Sequence, residues 1–110
     1  MPIYQTGEYR VKASGVEKVK DAIKEFVTYV QANEPGTHMY LAWQQTDDPT
    51  HFLHLFIFED AAAQVRHGES DAVKRFEAVY GPELVGEEVE FTDYEMVAGK
   101  RGNTPWSVES

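Results

Sequence analysis

At 110 residues, with 42% hydrophobic and 26% charged side chains, the chain has the composition of one folded domain around a single modest core, which argues against disorder and against a second core. Nineteen acids against ten Lys and Arg leave a formal charge of -9, a poor basis for binding nucleic acid or an anionic membrane, because both draw on clustered cations. With no cysteine, the chain has no disulfide, thiolate nucleophile, iron-sulfur cluster or cysteine zinc site, and what remains is acid, base or binding chemistry.

The N-terminal residues Met1-Pro2-Ile3-Tyr4-Gln5 lack the basic and apolar regions of a secretory signal, and no apolar run approaches membrane-spanning length, so a cytoplasmic protein is expected. Loose alternation from Ile3 to Lys12 predicts a first strand. Ser14-Gly15-Val16-Glu17 has the capping-box pattern of a helix start. Val16, Val19, Ile23, Phe26, Val27 and Val30 then recur every three or four residues, an apolar helical stripe that Asn33-Glu34-Pro35-Gly36 stops.

His38 to Gln45 and His51 to Phe58 read as an antiparallel hairpin around the turn Thr46-Asp47-Asp48-Pro49-Thr50. Setting Thr46 opposite Thr50 places Met39, Leu41 and Trp43 beside Ile57, Leu55 and Leu53 on one face. His38, Tyr40 and Ala42 then lie beside Phe58, Phe56 and His54 on the other. Both faces are largely apolar, so helices on one side leave the other in need of cover, which a second copy of the chain would supply.

Asp60 is placed to cap a short helix that runs through Arg66 and His67 and ends at Gly68. Ser70 is placed to cap another that carries Ala72, Val73, Phe76, Val79 and Tyr80 inward until Gly81-Pro82. Val89 to Val97 alternates as a last strand. A domain over residues 1–98 and a polar tail over residues 99–110 are expected. The order β-α-β-β-α-β is that of an α+β, ferredoxin-like domain, with two helices on one face of a four-stranded antiparallel sheet.

This order, with Asn33-Glu34-Pro35-Gly36 before the second strand, Asp47-Asp48-Pro49-Thr50 at the hairpin and Phe58-Glu59-Asp60 leading into a helix that bears His67, resembles the antibiotic biosynthesis monooxygenase family over about residues 3–98. The resemblance implies a homodimer, a dimeric α+β barrel with its sheets packed face to face. It also implies an oxidoreductase that oxygenates phenols, quinols or polyketide-derived aromatics with molecular oxygen and no cofactor. A related group degrades haem with an Asn on the first strand, whereas the asparagines here are Asn33 and Asn103, and His67 stands where that group carries a helix Trp. Haem degradation is therefore not expected. Phe58 replaces a Trp that often ends the family's third strand and Phe56 replaces a common Glu, so the chemistry of the face that meets the second copy is expected to differ.

Triplet oxygen reacts slowly with closed-shell molecules until the substrate becomes electron-rich, and deprotonating a phenol or quinol achieves that. Such a site needs a water-excluding cavity, a base near neutral pKa and a donor for the developing oxyanion. His67 is the candidate base, because imidazole titrates near neutrality; its structural alternative is a cation favoured at a helix C-terminus. Arg66 is a candidate oxyanion donor, although adjacent helical residues diverge by about 100° and solvated surface is its competing role. Trp43, Met39 and Leu55 are candidate substrate-binding walls between sheet and helices, with a plain core face as the alternative. Tyr40 and His54, on the opposite face, read as structural packing or substrate contact. His51 and His54, three apart on a strand, point to opposite faces and cannot share a metal ion. No phosphate-binding loop or nucleophile-elbow motif occurs. A non-catalytic ligand-binding or structural dimer is the competing function, and Trp106 in the tail is a candidate for docking on the neighbouring subunit.

Overall fold

The structure, a computed structural model, describes residues 1–86, 88–101 and 104–105. Trp106 and most of the expected tail lie outside the described residues; within that segment Lys100–Arg101 pairs antiparallel with Thr104–Pro105. The strands β1 (Ile3–Arg10), β2 (Thr37–Gln45), β3 (Asp48–Phe58) and β4 (Glu90–Tyr94) form one antiparallel sheet in the order β2-β3-β1-β4. The helices α1 (Val16–Asn33), α2 (Ala61–Glu69) and α3 (Asp71–Tyr80) accompany it, completing the expected α+β, ferredoxin-like fold. Among the described residues no helix is long and apolar enough to cross a membrane.

Helix α1 follows its apolar stripe: Val16, Val19, Ile23, Phe26 and Val30 are buried. Its start departs from the capping box. A 3-10 turn over Ala13–Gly15 leads into it, and Gly15 occupies the cap position with no side-chain cap bond. Glu83 presses against Gly15, where any larger residue would collide, and accepts from Lys18 Nζ at 3.4 Å, so a packing contact replaces the Ser14 cap. Asp60 and Ser70 cap α2 and α3 as expected, accepting from the backbone N–H of Ala63 and Val73. Helix α2 runs on to Glu69 instead of ending at Gly68.

The hairpin keeps the expected register from Met39↔Ile57 to Gln44↔Phe52 and loses it at both ends. Gln45 pairs with Asp48, leaving Thr46 and Asp47 as a two-residue turn, because Asp48 is anchored by Thr50 Oγ1 and by Arg10 (3.0 Å). At the other end Thr37, not His38, pairs with Phe58, and the displaced His38 sits 3.7 Å from Glu59. The last strand is shorter than expected, spanning Glu90–Tyr94 instead of 89–97.

The expected assignment of the two sheet faces is reversed. Phe52, His54 and Phe56 of β3, with Tyr40 and Ala42 of β2, belong to the face under the helices. Leu41 and Trp43 are 40% and 48% exposed on the opposite face, together with Met39, Leu53 and Leu55. The cause lies in β1, whose pairing with β3 orients the hairpin. Tyr9 pairs with Phe52 and packs inward, while Glu8 pairs with Leu53 and Arg10 with His51 on the outer side. Charged residues of β1 thus mark the outer face, and the right-handed crossover from β1 to β2 carries α1 over the other.

Candidate active site

The inner face and the helices enclose a cavity of about 220 Å³, walled chiefly by the rings of Phe26, Tyr40, Phe56, Phe58 and Phe76. Gln5, Gln64 and Glu77 contribute hydrophilic side chains to its lining. At Gly7 a Cβ would stand 3.1 Å from the ring of Phe91, so the absence of a side chain on β1 lets that ring lie over the strand beside the opening.

His67, on the last turn of α2, projects into this cavity with its side chain 12% exposed. The rings of Phe26, Tyr40, Phe56 and Phe58 surround it at centroid distances of 5.2–6.0 Å. Its Nδ1 lies 2.7 Å from Glu34 Oε1, an atom that also accepts from Thr37 Oγ1 at 2.9 Å. Glu34 is the residue at which α1 stops, and Pro35-Gly36 turns the chain so that its carboxylate points back under α2. The second oxygen, Oε2, is buried with no hydrogen-bond partner among the described residues. With Nδ1–H donating to the carboxylate, the Nε2 lone pair is the atom left for a ligand, and a proton taken there is stabilised by the acid behind the ring.

A second polar group crosses the cavity floor. His54, 2% exposed, bonds Tyr9 Oη through Nε2 at 2.8 Å and Tyr40 Oη through Nδ1 at 2.7 Å. Burial lowers the His54 pKa to about 4, so the imidazole is neutral. Burial likewise raises Tyr9 and Tyr40 above the ordinary phenol range, helped for Tyr9 by neighbouring Tyr80, itself raised by burial to about 12.

Of the residues that sequence reasoning selected, His67 and Tyr40 line the cavity. Trp43, Met39 and Leu55 do not, because they belong to the outer face. Arg66 lines a separate cleft with Gly36 and Ser70, in keeping with the divergence of adjacent helical residues. His51 and His54 occupy opposite faces, with His51 Nε2 3.2 Å from Glu8 Oε2. Glu34, Tyr9, Phe26 and Phe76 were not singled out for the site. Glu34 did leave a signal: an acid at a helix C-terminus faces the negative end of the dipole and calls for a partner.

A profile of the family described as antibiotic biosynthesis monooxygenase matches residues 2–79. Among solved structures, a Bacteroides thetaiotaomicron protein provisionally named an antibiotic biosynthesis monooxygenase superposes with a TM-score of 0.81 at 19% identity, over 87% of this chain and 90% of its own. A protein of the same provisional name from Nitrosomonas europaea gives 0.80 at 19% identity over the same shares. A conserved protein from Methanosarcina mazei gives 0.77 at 21%, over 86% and 91%. At these identities the likeness shows the fold, and no curated protein matches the chain. The profile match, the strand order and the helix-bearing face together place this chain in the antibiotic biosynthesis monooxygenase family.

Proposed function

We propose that the protein is a cofactor-independent monooxygenase of a small aromatic substrate bearing an ionisable hydroxyl, a phenol, quinol or polyketide-like ring, bound in the cavity beside His67. The observation that carries this reading is His67 lining a cavity walled by aromatic rings, with Glu34, which lines the separate cleft, 2.7 Å from its Nδ1. Nε2 of His67 takes the hydroxyl proton, and the resulting electron-rich anion reduces oxygen. For a ring CH2 oxidised to C=O, one oxygen atom stays on the carbon and the other leaves as water with the two displaced hydrogens, so the substrate supplies all the electrons. The apolar walls lower the local dielectric and strengthen the interactions at the reacting oxygen.

The reading includes a homodimer assembled through the outer sheet face, where Leu41, Trp43 and Tyr94 are 40%, 48% and 56% exposed. A small soluble domain seldom leaves an apolar sheet face to water. Face-to-face packing would cover both copies of that surface.

Oxygen consumption with a panel of quinols and anthrones tests the proposal. His67→Ala is expected to lower the rate about 100-fold, the lower range of general acid-base catalysis. Unchanged uptake would remove His67 from the mechanism, and no uptake with any member of the panel would sink the monooxygenase reading. A non-catalytic ligand-binding dimer is the second reading, favoured by the hydrocarbon rings of Phe56 and Phe58 in the cavity wall at positions where the family often carries Glu and Trp. Binding of the panel without oxygen uptake would decide for it.

A further inference from the structure

We propose that Tyr9, His54 and Tyr40 act as one hydrogen-bonded unit that presents a single hydroxyl hydrogen to the cavity and selects ligands carrying an acceptor oxygen, a carbonyl or a phenolate. The argument is a count of hydrogens. A neutral imidazole has one N–H, and each protonated phenol has one O–H, which makes three donor hydrogens. The unit contains two contacts, at 2.8 and 2.7 Å, and each uses one hydrogen. One hydrogen is left over.

It is never on the ring. Both imidazole nitrogens are engaged, so the N–H donates to one tyrosine and the bare nitrogen accepts from the other. The tyrosine that accepts from the N–H keeps its own hydrogen free. The imidazole tautomer therefore decides whether Tyr40 or Tyr9 holds the spare hydrogen, and shifting hydrogens along the chain moves it between them. Burial keeps the members in the required forms, His54 neutral and both phenols protonated. Neither hydroxyl has another hydrogen-bond partner among the described residues, and both tyrosines line the cavity.

A donor set among hydrocarbon rings discriminates against a ligand that leaves it unpaired. The Tyr40 ring also lies 6.0 Å from that of His67, so the acceptor oxygen and the proton that His67 removes belong to one small molecule. This inference rests on the cavity being the ligand site, as the function above also requires, but it does not depend on oxygen chemistry.

The experiment compares 1-tetralone with tetralin, which lacks the carbonyl, by calorimetry under nitrogen. Wild type is expected to bind the ketone about tenfold more tightly, with the carbonyl stretch of bound 1-tetralone moved to lower frequency. Tyr9→Phe and Tyr40→Phe should each keep part of the preference, because one tyrosine can still donate. The triple variant Tyr9→Phe, Tyr40→Phe and His54→Phe, which also removes the imidazole N–H left unpartnered when both hydroxyls go, should bind ketone and hydrocarbon equally, with an unshifted stretch. A purely structural role would weaken both ligands alike and leave their ratio unchanged. Equal affinities or an unshifted stretch in wild type would overturn the inference without any variant, as would failure of wild type to bind either ligand; a preference that survives in the triple variant would overturn it as well. Oxygen uptake without ketone preference removes this unit alone, whereas ketone preference without uptake removes the monooxygenase reading alone.

Discussion

The two faces of the sheet are built from the same kind of alternating apolar residues and have opposite fates. The inner face holds Phe52, His54 and Phe56 beneath the helices, and the polar atoms of Tyr9, His54 and Tyr40 are paired with one another there. The outer face carries Leu41, Trp43, Leu53 and Leu55, with the Arg10–Asp48 ion pair and the His51–Glu8 contact toward one end. The difference teaches that hydrophobicity selects a sheet surface for burial, whereas buried polar pairs mark a surface suited to chemistry. The inner face has both properties, and the outer face has the composition of an interface.

The largest expected effect separates the faces directly. Leu55→Asp on the outer face should weaken the proposed dimer on the order of 1000-fold, because a buried unpaired charge costs about 3–5 kcal/mol, while leaving ketone binding in the cavity unchanged. Sedimentation across a dilution series measures it, and a dimer indifferent to this change would place the interface elsewhere.

The next effect belongs to the inner face and is a pH dependence. His54 is held at about 4 in the fold against 6.5 for an ordinary histidine, so the unfolded chain binds a proton that the native chain refuses. The stability that depends on neutral His54 is complete above pH 6.5 and is lost as pH falls toward 4, reaching about 3 kcal/mol. Urea unfolding at a series of pH values should show this decline, and His54→Phe should remove that part of it; an identical profile in the variant would rule His54 out as its source.

Glu34→Gln sharpens the comparison within the site. The amide keeps the shape but not the charge, so kcat should fall roughly tenfold with KM little changed. A change in KM alone would make Glu34 a packing residue. The smallest effect is local: Asp60→Ala, which removes the cap on α2, should cost about 1 kcal/mol in denaturant unfolding. A loss confined to stability would show that α2 carries His67 without tuning it.

The helix stripe of α1, the caps at Asp60 and Ser70, and the central hairpin register were legible because each is written in local spacing. The capping box at Ser14 was not, since Glu83, far along the chain, occupies the space at Gly15. His67 was legible as a titratable group on a short helix. Its partner Glu34 was hidden in a motif that reads as a helix stop, and the pair forms only when α2 folds back over the end of α1. Alternation alone is indifferent to which face the helices take, so it does not distinguish the face of Trp43, Met39 and Leu55 from the cavity face.

By itself the sequence determined the kinds and order of the elements, the presence of two apolar sheet surfaces and a chemistry without thiols, because these follow from composition and short-range periodicity. The tertiary structure alone decided which surface became the cavity and which groups met inside it. Side-chain alternation has the same period on both faces, and only strand pairing with β1 and the handedness of the crossover break that symmetry.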